Sequence, residues 1–223
     1  MAYFDVRSDS FHTSSHRPVR SVYRRLGKRL FDVVVALILL PIVAGIILCL
    51  CLLVRRDGAA GLFAHQRVGQ NGTVFTCWKI RTMVPDAQAR LRALLASDPV
   101  AREEWERTQK LQNDPRTTGF GRFLRRTSLD ELPQIWNVLR GDMSLVGPRP
   151  VTAPELDRYG SYRQIYLDLR PGVTGLWQVA GRSNGCYAER LAMDQRYAQS
   201  IGLFSDLRLI FRTAVVVIRP TGR

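Results

Sequence analysis

The chain has 223 residues, of which 46% are hydrophobic and 23% are charged. These values are ordinary for a folded protein and exclude wholesale disorder and fibrous repeats, and the length suits one domain or one domain with an appendage. The 33 lysine and arginine residues outnumber the 19 aspartate and glutamate residues. The resulting net charge of +14 predicts an anionic partner, which is a nucleic acid, an acidic membrane surface or a phosphorylated substrate.

Cysteine and histidine are too few and too scattered for several kinds of site. The four cysteines contain no Cys-x-x-Cys pair, which argues against a zinc site and a disulfide framework. Two of the three histidines fall in a polar N-terminal tail, residues 1–23. A histidine-based metal centre or a Ser-His-Asp triad is therefore not predicted.

An apolar segment from Val33 to Val54 follows the tail. Its roughly 22 residues carry no charge and would form a helix ~33 Å long, against a hydrocarbon core of ~30 Å. The segment is longer than the core of a cleaved signal peptide, and it is followed by Arg55-Arg56-Asp57 instead of small residues. We predict that residues 24–56 form a retained membrane element.

The flanks of this segment leave two topologies open. Basic residues lie before it, between Arg24 and Arg29, and after it, at Arg55 and Arg56, so both ends carry the charge typical of the cytoplasmic side. Pro41 removes a helical hydrogen bond inside the segment. A re-entrant helix broken at Pro41 returns both ends to one face and satisfies both observations. The alternative is an ordinary single-pass helix with a proline kink.

A β-hairpin is predicted directly after the membrane element. Its strands are Gly61–Ala64 and Thr73–Ile80. The connection Val68–Gly72 contains Asn71-Gly72, which is the strongest short hairpin signal.

Helical patterns dominate the remainder of a cytoplasmic-face catalytic domain predicted for residues 57–223. The predicted helices are Ala87–Leu95, Val100–Leu111, Ser128–Leu139, Leu156–Leu169 and Tyr187–Ser200. The C-terminal segment Leu207–Ile218 is too short to span a bilayer, and it is either an interfacial helix or a helix packed on the core. The predicted fold class is α+β and mainly helical.

Asp130 and Glu131 are adjacent carboxylates with two open interpretations. Ser128 as N-cap, followed three residues later by Glu131, has the pattern of a capping box at a helix start. The positive end of a helix also favours an ionised carboxylate and a bound phosphate. Because neighbouring helical residues point about 100° apart, one carboxylate can attack a phosphorus while the other holds a cation.

The segment Gly147-Pro148-Arg149-Pro150 places an arginine between two prolines. Fixed φ angles on both sides restrict the approach of the guanidinium, which suits bidentate contact with a phosphate. A Gly-Pro cluster on its own is equally typical of a simple turn.

Six motifs together resemble those of the bacterial sugar transferases, the monotopic phosphoglycosyl transferases. They are Lys28–Asp32, Gln66–Gly69, Lys79–Met83, Thr127–Gln134, Asp142–Pro150 and Pro171–Arg182. The motifs occur in the same order over about residues 24–218 without a large gap. With only about 23 residues before the first motif, the chain resembles the minimal catalytic form of the family.

This resemblance implies a bacterial inner-membrane enzyme that acts at the cytoplasmic face. Such enzymes move a sugar 1-phosphate from a UDP-sugar to undecaprenyl (polyprenyl) phosphate and release UMP, which begins the synthesis of an exopolysaccharide or another glycoconjugate. The implied partners are this donor, this acceptor and the anionic membrane leaflet, without a nucleic acid and with the oligomeric state left open. The family's membrane helix is re-entrant and broken at a proline, which Pro41 matches.

The resemblance also implies the site residues. Asp130 corresponds to the nucleophile, which forms a phosphosugar ester, and Glu131 corresponds to the ligand of a Mg²⁺ cofactor. The implied substrate-binding residues, which contact the diphosphate or the nucleotide, are Lys79, Arg81, Arg125, Gly147, Pro148, Arg149, Pro150 and Arg182.

Three alternatives stay open at this point. Trp177 in Gly-Leu-Trp-Gln resembles members that transfer glucose or galactose phosphate, and an acetamido sugar is the alternative donor group. The lipid phosphate could attack the donor directly, with Asp130 as a base. A membrane-tethered nucleic-acid-binding protein is supported by the basic charge alone, because the sequence contains no nucleic-acid recognition motif.

Overall fold

The computed structural model describes residues 22–108, 111–180 and 187–218. This part of the chain is mainly helical, with two small two-stranded sheets. The helices are α1 Lys28–Val54, α2 Ala87–Ser97, α3 Pro99–Thr108, α4 Gly119–Thr127, α5 Gln134–Arg140, α6 Ala153–Asp157, α7 Arg163–Leu167, α8 Leu176–Ala180, α9 Tyr187–Gln199 and α10 Leu203–Ile218. The strands are β1 Leu62–Val68, β2 Val74–Ile80, β3 Ser144–Val146 and β4 Gly172–Thr174. The predicted α+β, mainly helical class is confirmed.

The apolar segment forms α1, which is preceded by a π-helical turn over Tyr23–Gly27. Among the described residues, Lys28–Asp57 is the one helical stretch long and apolar enough to cross a membrane. The predicted break at Pro41 is not confirmed, because α1 continues through this residue. Proline removes one hydrogen bond from a helix, and a long helix tolerates that loss with a local bend. Nearly all of the predicted tail lies outside the described residues.

One face of α1 packs against the rest of the chain along the length of the helix. Ala36 is fully buried in a cluster that contains Val138 of α5. Fourteen residues later, Leu50 packs with Ile80 of β2 in a second cluster. The other apolar side chains of α1 are mostly exposed. The helix therefore presents one face to the protein and a wide apolar face outward.

Both ends of α1 are bonded to the domain that follows it. At the start, the Arg29 guanidinium donates to the carbonyl groups of Val138 and Leu139 at 2.6 and 2.9 Å. These carbonyls lie at the end of α5, where the last turn of a helix lacks internal donors. At the other end, Arg81 donates to the carbonyl of Val54 at 3.0 Å.

The predicted hairpin is confirmed, with a longer first strand. β1 and β2 are antiparallel, with Leu62 opposite Ile80 and Val68 opposite Val74. Asn71 and Gly72 both have positive φ angles, 57° and 79°, as a tight hairpin turn requires.

The predicted helix Ser128–Leu139 and its capping box are wrong. Ser128 adopts the left-handed conformation (φ 59°, ψ 17°) and ends α4, where its N–H bonds to the last carbonyls of that helix. A 3₁₀ turn, Leu129–Glu131, follows, and α5 begins only at Gln134. The Ser-x-x-Glu pattern therefore marks a helix end here. The structure instead has a capping box at Thr152 and Glu155.

The predicted helix Leu156–Leu169 is also wrong as one element. Gly160 has a φ of 51°, and this left-handed residue separates α6 from α7. The predicted helices that correspond to α2, α3 and α9 are confirmed, with ends shifted by a few residues.

Strands β3 and β4 form a parallel pair, which the sequence did not predict. Ser144 lies opposite Gly172, and Val146 lies opposite Thr174. The two backbones approach very closely beyond β3, since a Cβ atom on Gly172 would lie 2.1 Å from the Gly147 nitrogen. Only glycine fits such a contact. This pair positions the segment that follows β3.

Helix α10 packs on the core, as one of the two alternatives for the C-terminal segment predicts, and contact with the membrane interface stays a prediction. Leu209 and Asp206 are buried, so one face packs on the core. Phe204 and Phe211 are 86% and 70% exposed, so the opposite side is an unpartnered apolar surface.

Candidate active site

Strand β2 and the 3₁₀ turn bring three charged residues together. Lys79 lies next to the last residue of β2, and its Nζ donates to Glu131 Oε1 at 2.7 Å. Asp130 precedes Glu131 in the turn and is only 7% exposed. The buried Asn137 of α5 bonds to both an N–H and a carbonyl group of the β2 backbone, which holds α5, the helix that follows the turn, against the strand.

The pKa of Asp130 is raised to about 6. Burial is the largest cause, and the neighbouring Glu131 charge acts in the same direction, while Lys79 and Arg125 oppose the shift. Asp130 is therefore ionised at pH 7.5, but it lacks the solvation that an exposed carboxylate has. A poorly solvated anion held beside cations is a suitable nucleophile towards a phosphorus atom.

Arg125 lies in the last turn of α4, directly before the turn that carries Asp130. Its Nε donates to Thr82 Oγ1 at 2.8 Å, and its Nη1 donates to Thr117 Oγ1 at 3.3 Å. The two neutral hydroxyl groups orient the guanidinium without cancelling its charge. Arg125 therefore remains available to an anion.

Arg149 faces Glu131 from the loop after β3. Its Nη1 lies 3.9 Å from Glu131 Oε1, and the side chain is 41% exposed. The loop backbone is held by β4, because the Gly147 N–H donates to Thr174 and the Pro148 carbonyl accepts from Gly172. Gly147 and Pro148 thus position the loop, and Arg149 is the member of the segment that presents charge to the site.

Arg81 is not part of this cluster. Its guanidinium forms an ion pair with Asp57 and also donates to the carbonyls of Val54, Ala60 and Met83. These contacts use all five of its N–H donors. The structure therefore gives Arg81 a structural role at the end of α1, and its assignment to substrate binding stays a prediction. Arg182 lies outside the described residues.

Arg67 and Gln134 are among the cleft residues that were not predicted. Arg67 and Gln134 line a small cleft together with Lys79, Glu131 and Arg149. Arg67 also pairs with Glu155 at 2.9 Å, and it donates a longer bond of 3.4 Å to the carbonyl of Pro150. Both residues fall inside motifs that carry the family resemblance, but nothing in their local sequence separates a site residue from a structural one.

The donor set can supply part of a magnesium site. Within the described ranges there is no group of three or more His, Cys, Asp or Glu side chains that could hold a metal ion. Mg²⁺ usually binds one or two carboxylates together with waters and substrate phosphates. Glu131, with Asp130 adjacent, fits that mode, whereas a dedicated protein cage does not.

Comparisons with known proteins give consistent matches over most of the chain. The family described as "Bacterial sugar transferase" matches residues 23–220. The "Undecaprenyl-phosphate galactose phosphotransferase" of Salmonella typhimurium is 50% identical over 198 residues, which cover 89% of this chain and 42% of that protein. The "Exopolysaccharide production protein ExoY" of Sinorhizobium fredii is 44% identical over 211 residues, 94% of this chain and 92% of that protein.

The name of a third relative specifies a different sugar. The "UDP-glucose:undecaprenyl-phosphate glucose-1-phosphate transferase" of Escherichia coli is 34% identical over 198 residues, which cover 85% of this chain and 39% of that protein. The chain thus spans less than half the length of the Salmonella and Escherichia relatives, and nearly the whole length of the Sinorhizobium one.

Proposed function

Because the chain belongs to the bacterial sugar transferase family, we propose that it is a phosphoglycosyl transferase that transfers a hexose 1-phosphate from a UDP-sugar to undecaprenyl phosphate. The product would be the first lipid-linked intermediate of an exopolysaccharide or another glycoconjugate. The observation that carries this proposal is the buried Asp130 carboxylate. It is ionised at neutral pH, and the positive charges of Lys79 and Arg125 favour its ionised form.

The proposed reaction has two steps with a covalent intermediate. In the first, an Asp130 carboxylate oxygen attacks the sugar-bearing phosphorus of the donor. The bond from this phosphorus to the bridging oxygen breaks, and UMP leaves with the electron pair. In the second, a phosphate oxygen of the acceptor attacks the phosphorus, and Asp130 is the leaving group. Cations are needed in both steps because each attacking group is an anion.

The basic residues divide this task by position. Lys79 and Arg149 flank Glu131, where they can neutralise the donor diphosphate. Glu131 would hold Mg²⁺ together with that diphosphate, and the ion would supply further neutralisation of its charge. Arg125 lies in α4, directly before the turn that carries Asp130. From the family motif, we assign Arg182 to binding of the nucleotide or the diphosphate.

The transferred sugar is proposed to be galactose or glucose. The names of two relatives specify galactose and glucose, respectively. A panel of UDP-sugars with undecaprenyl phosphate, scored by UMP release, tests this proposal. UMP release only with acetamido sugars would contradict the proposed specificity, and no release with any donor would contradict the proposed activity.

Direct attack by the lipid is the competing route, with Asp130 as a base. Lys79 and Arg125 act against the raised pKa of Asp130 and favour its anionic form, which supports the covalent route because a nucleophile must be the free carboxylate. Exchange of labelled UMP into UDP-sugar without lipid would occur only by the covalent route.

For the membrane topology, we propose a re-entrant α1 with the catalytic domain at the cytoplasmic face of the inner membrane, against its anionic leaflet. Contacts at both ends of α1 with the same domain support this arrangement. Single cysteines at positions 25 and 56, in a background without the native cysteines, should be labelled from the same side. Labelling from opposite sides would mean a single-pass helix.

Arg149→Lys is expected to lower turnover by about tenfold or more while the protein stays folded. The planar guanidinium donates two parallel bonds to a phosphate, which the single ammonium of lysine cannot reproduce. Steady-state transfer and thermal unfolding of the detergent-solubilised variant check this prediction. Arg158→Lys, a replacement of an arginine that stacks on Tyr187 away from the cleft, is the control. Equal turnover in wild type and Arg149→Lys would mean that the loop is only a turn and that Arg149 does not bind a phosphate through its guanidinium.

A further inference from the structure

Helix α4 has an inward face that fixes it firmly to the domain. Leu124 is fully buried, and Thr118 caps the start of the helix by accepting from the Gly121 N–H at 2.8 Å. A Cβ atom on Gly121 would lie 2.0 Å from the carbonyl oxygen of Thr82, so the helix approaches the segment after β2 as closely as a backbone can. The surface that α4 presents outward is therefore held in a fixed position.

The outward surface of α4 combines aromatic rings with positive charge. Phe120 and Phe123 are 37% and 42% exposed, and their rings stack with centroids 6.0 Å apart. Arg122 and Arg126 are exposed on the same helix. A large open groove runs between this surface and the segment 111–117. Asp114 also lines the groove, where it pairs with Arg116 at 2.7 Å and interacts with the charge of Arg125. Against this one carboxylate, the groove is lined by Arg122, Arg125 and Arg126.

The groove lies close in the chain to the proposed nucleophile. Arg125 and Arg126, in the last turn of α4, line the groove, and the 3₁₀ turn Leu129–Glu131 that carries Asp130 follows α4 directly. Lys79, Glu131 and Arg149 instead line the small cleft. The turn with Asp130 is therefore next to a basic surface that the cleft residues do not share.

We propose that the α4 groove is the binding site of the isoprenoid phosphate acceptor. Its phosphate would bind Arg126, Arg122 and Arg125, and the first isoprene units would pack on Phe123 and Phe120. The combination suits this one ligand, because a lipid phosphate needs cations and an apolar surface side by side. This inference rests on the proposed function, and it places the acceptor on a surface separate from the cleft that would hold the donor diphosphate.

The position of the groove also fits the second chemical step. Arg126 is four residues before Asp130, one position before the end of α4, and the turn that carries Asp130 follows that helix. Once UMP has left, an oxygen of the acceptor phosphate would attack the phosphorus opposite the Asp130 oxygen, so that its new P–O bond forms as the P–O bond to Asp130 breaks. The carboxylate receives the electron pair, so the step needs no further reactant.

The test uses full-length protein in detergent micelles, with undecaprenyl phosphate or geranyl phosphate as the acceptor. Arg126→Gln should raise the KM for both acceptors by at least about tenfold, since it removes a charge-assisted contact with the phosphate. Phe123→Ser should raise the KM for undecaprenyl phosphate more than that for geranyl phosphate. UMP exchange without lipid should keep its wild-type rate in both variants, which also shows that they are folded.

Helix α10 provides a matched control. Phe204 and Arg208 are an exposed phenylalanine and an exposed arginine on this helix, which packs on α8, β3 and β4, and Phe204→Ser and Arg208→Gln should leave the acceptor KM unchanged. An equal rise of KM in α4 and α10 variants, with lost binding to anionic vesicles, would make the α4 surface a general membrane contact and overturn the proposal. Slower UMP exchange in Arg126→Gln would assign the groove to the donor and also overturn it.

The outcome can be separated from failure of the proposed function. The acceptor KM is measured in the complete transfer reaction, which does not depend on the covalent route. If wild type shows no UMP exchange, the covalent intermediate is contradicted, whereas the KM values still decide the acceptor site. If the α4 variants have wild-type KM values in a transferring enzyme, only the acceptor site is contradicted.

Discussion

Asp130→Asn is expected to abolish sugar phosphate transfer, with a loss of roughly 10³-fold or more. Asparagine keeps the shape of the side chain, but its neutral amide is a very poor nucleophile. Intact-mass analysis of the wild type after incubation with UDP-sugar alone should show a gain of one hexose phosphate, and the variant should show none. Asp130 would be excluded as the nucleophile if the Asp130→Asn variant still forms the adduct. It would also be excluded if the wild type exchanges UMP rapidly but forms no adduct.

The same substitution should not destabilise the protein. The pKa of Asp130 is about 6 in the folded state, above the value of about 3.9 expected in the unfolded chain. Above pH 6 the carboxylate is ionised in both states, and its ionisation disfavours the folded one. Removal of the charge should therefore leave the free energy of unfolding unchanged or raise it, on the order of 1 to 3 kcal/mol at pH 7.5. A large loss of stability would indicate a structural role instead.

The pH dependence offers a check without a mutation at the site. UMP exchange should fall as the pH drops through about 6, because protonation removes the nucleophile. Asp157→Asn is a matched control, since that carboxylate is 72% exposed on α6 and far from the chemistry. It should leave both the exchange rate and its pH profile unchanged.

Local patterns of the sequence were sufficient for some elements. The length of the apolar segment predicts α1, and Asn71-Gly72 predicts the hairpin, because each signal acts within its own element. The Ser-x-x-Glu pattern at Ser128 gave a wrong prediction because contacts outside its own element decide the local structure. A serine can cap the start of a helix or adopt the left-handed conformation at the end of one, and the packing of Leu124 in the core decides between them.

Tertiary contacts explain what sequence reasoning missed in the site. β3 and β4 are three residues each and lie far apart in the chain, so neither has a periodicity of its own. Lys79 and Arg81 are two residues apart, so both would lie on the same side of a continuous strand. However, β2 ends at Ile80, and Arg81 turns towards Asp57. The family motif brings both residues to attention, and only the fold separates the site lysine from the structural arginine.

Glu131→Gln is expected to lower turnover by roughly 10²-fold or more, because the neutral amide cannot hold a divalent cation. Glutamine keeps the length of the side chain and can still accept a hydrogen bond from Lys79. The variant should require much more Mg²⁺ for half of its maximal rate, and excess chelator should abolish transfer in the wild type until Mg²⁺ is restored.

The structure also offers a role for Glu131 without a metal, as the partner of Lys79 at 2.7 Å. This alternative predicts slower transfer in Glu131→Gln with the Mg²⁺ requirement of the wild type. Glu155→Gln is the matched control, since Glu155 pairs with the cleft residue Arg67 at 2.9 Å through a similar contact. If only Glu131→Gln raises the Mg²⁺ requirement, the carboxylate binds the ion. If neither variant raises it, Glu131 acts through Lys79, and the cation is held by the donor diphosphate alone.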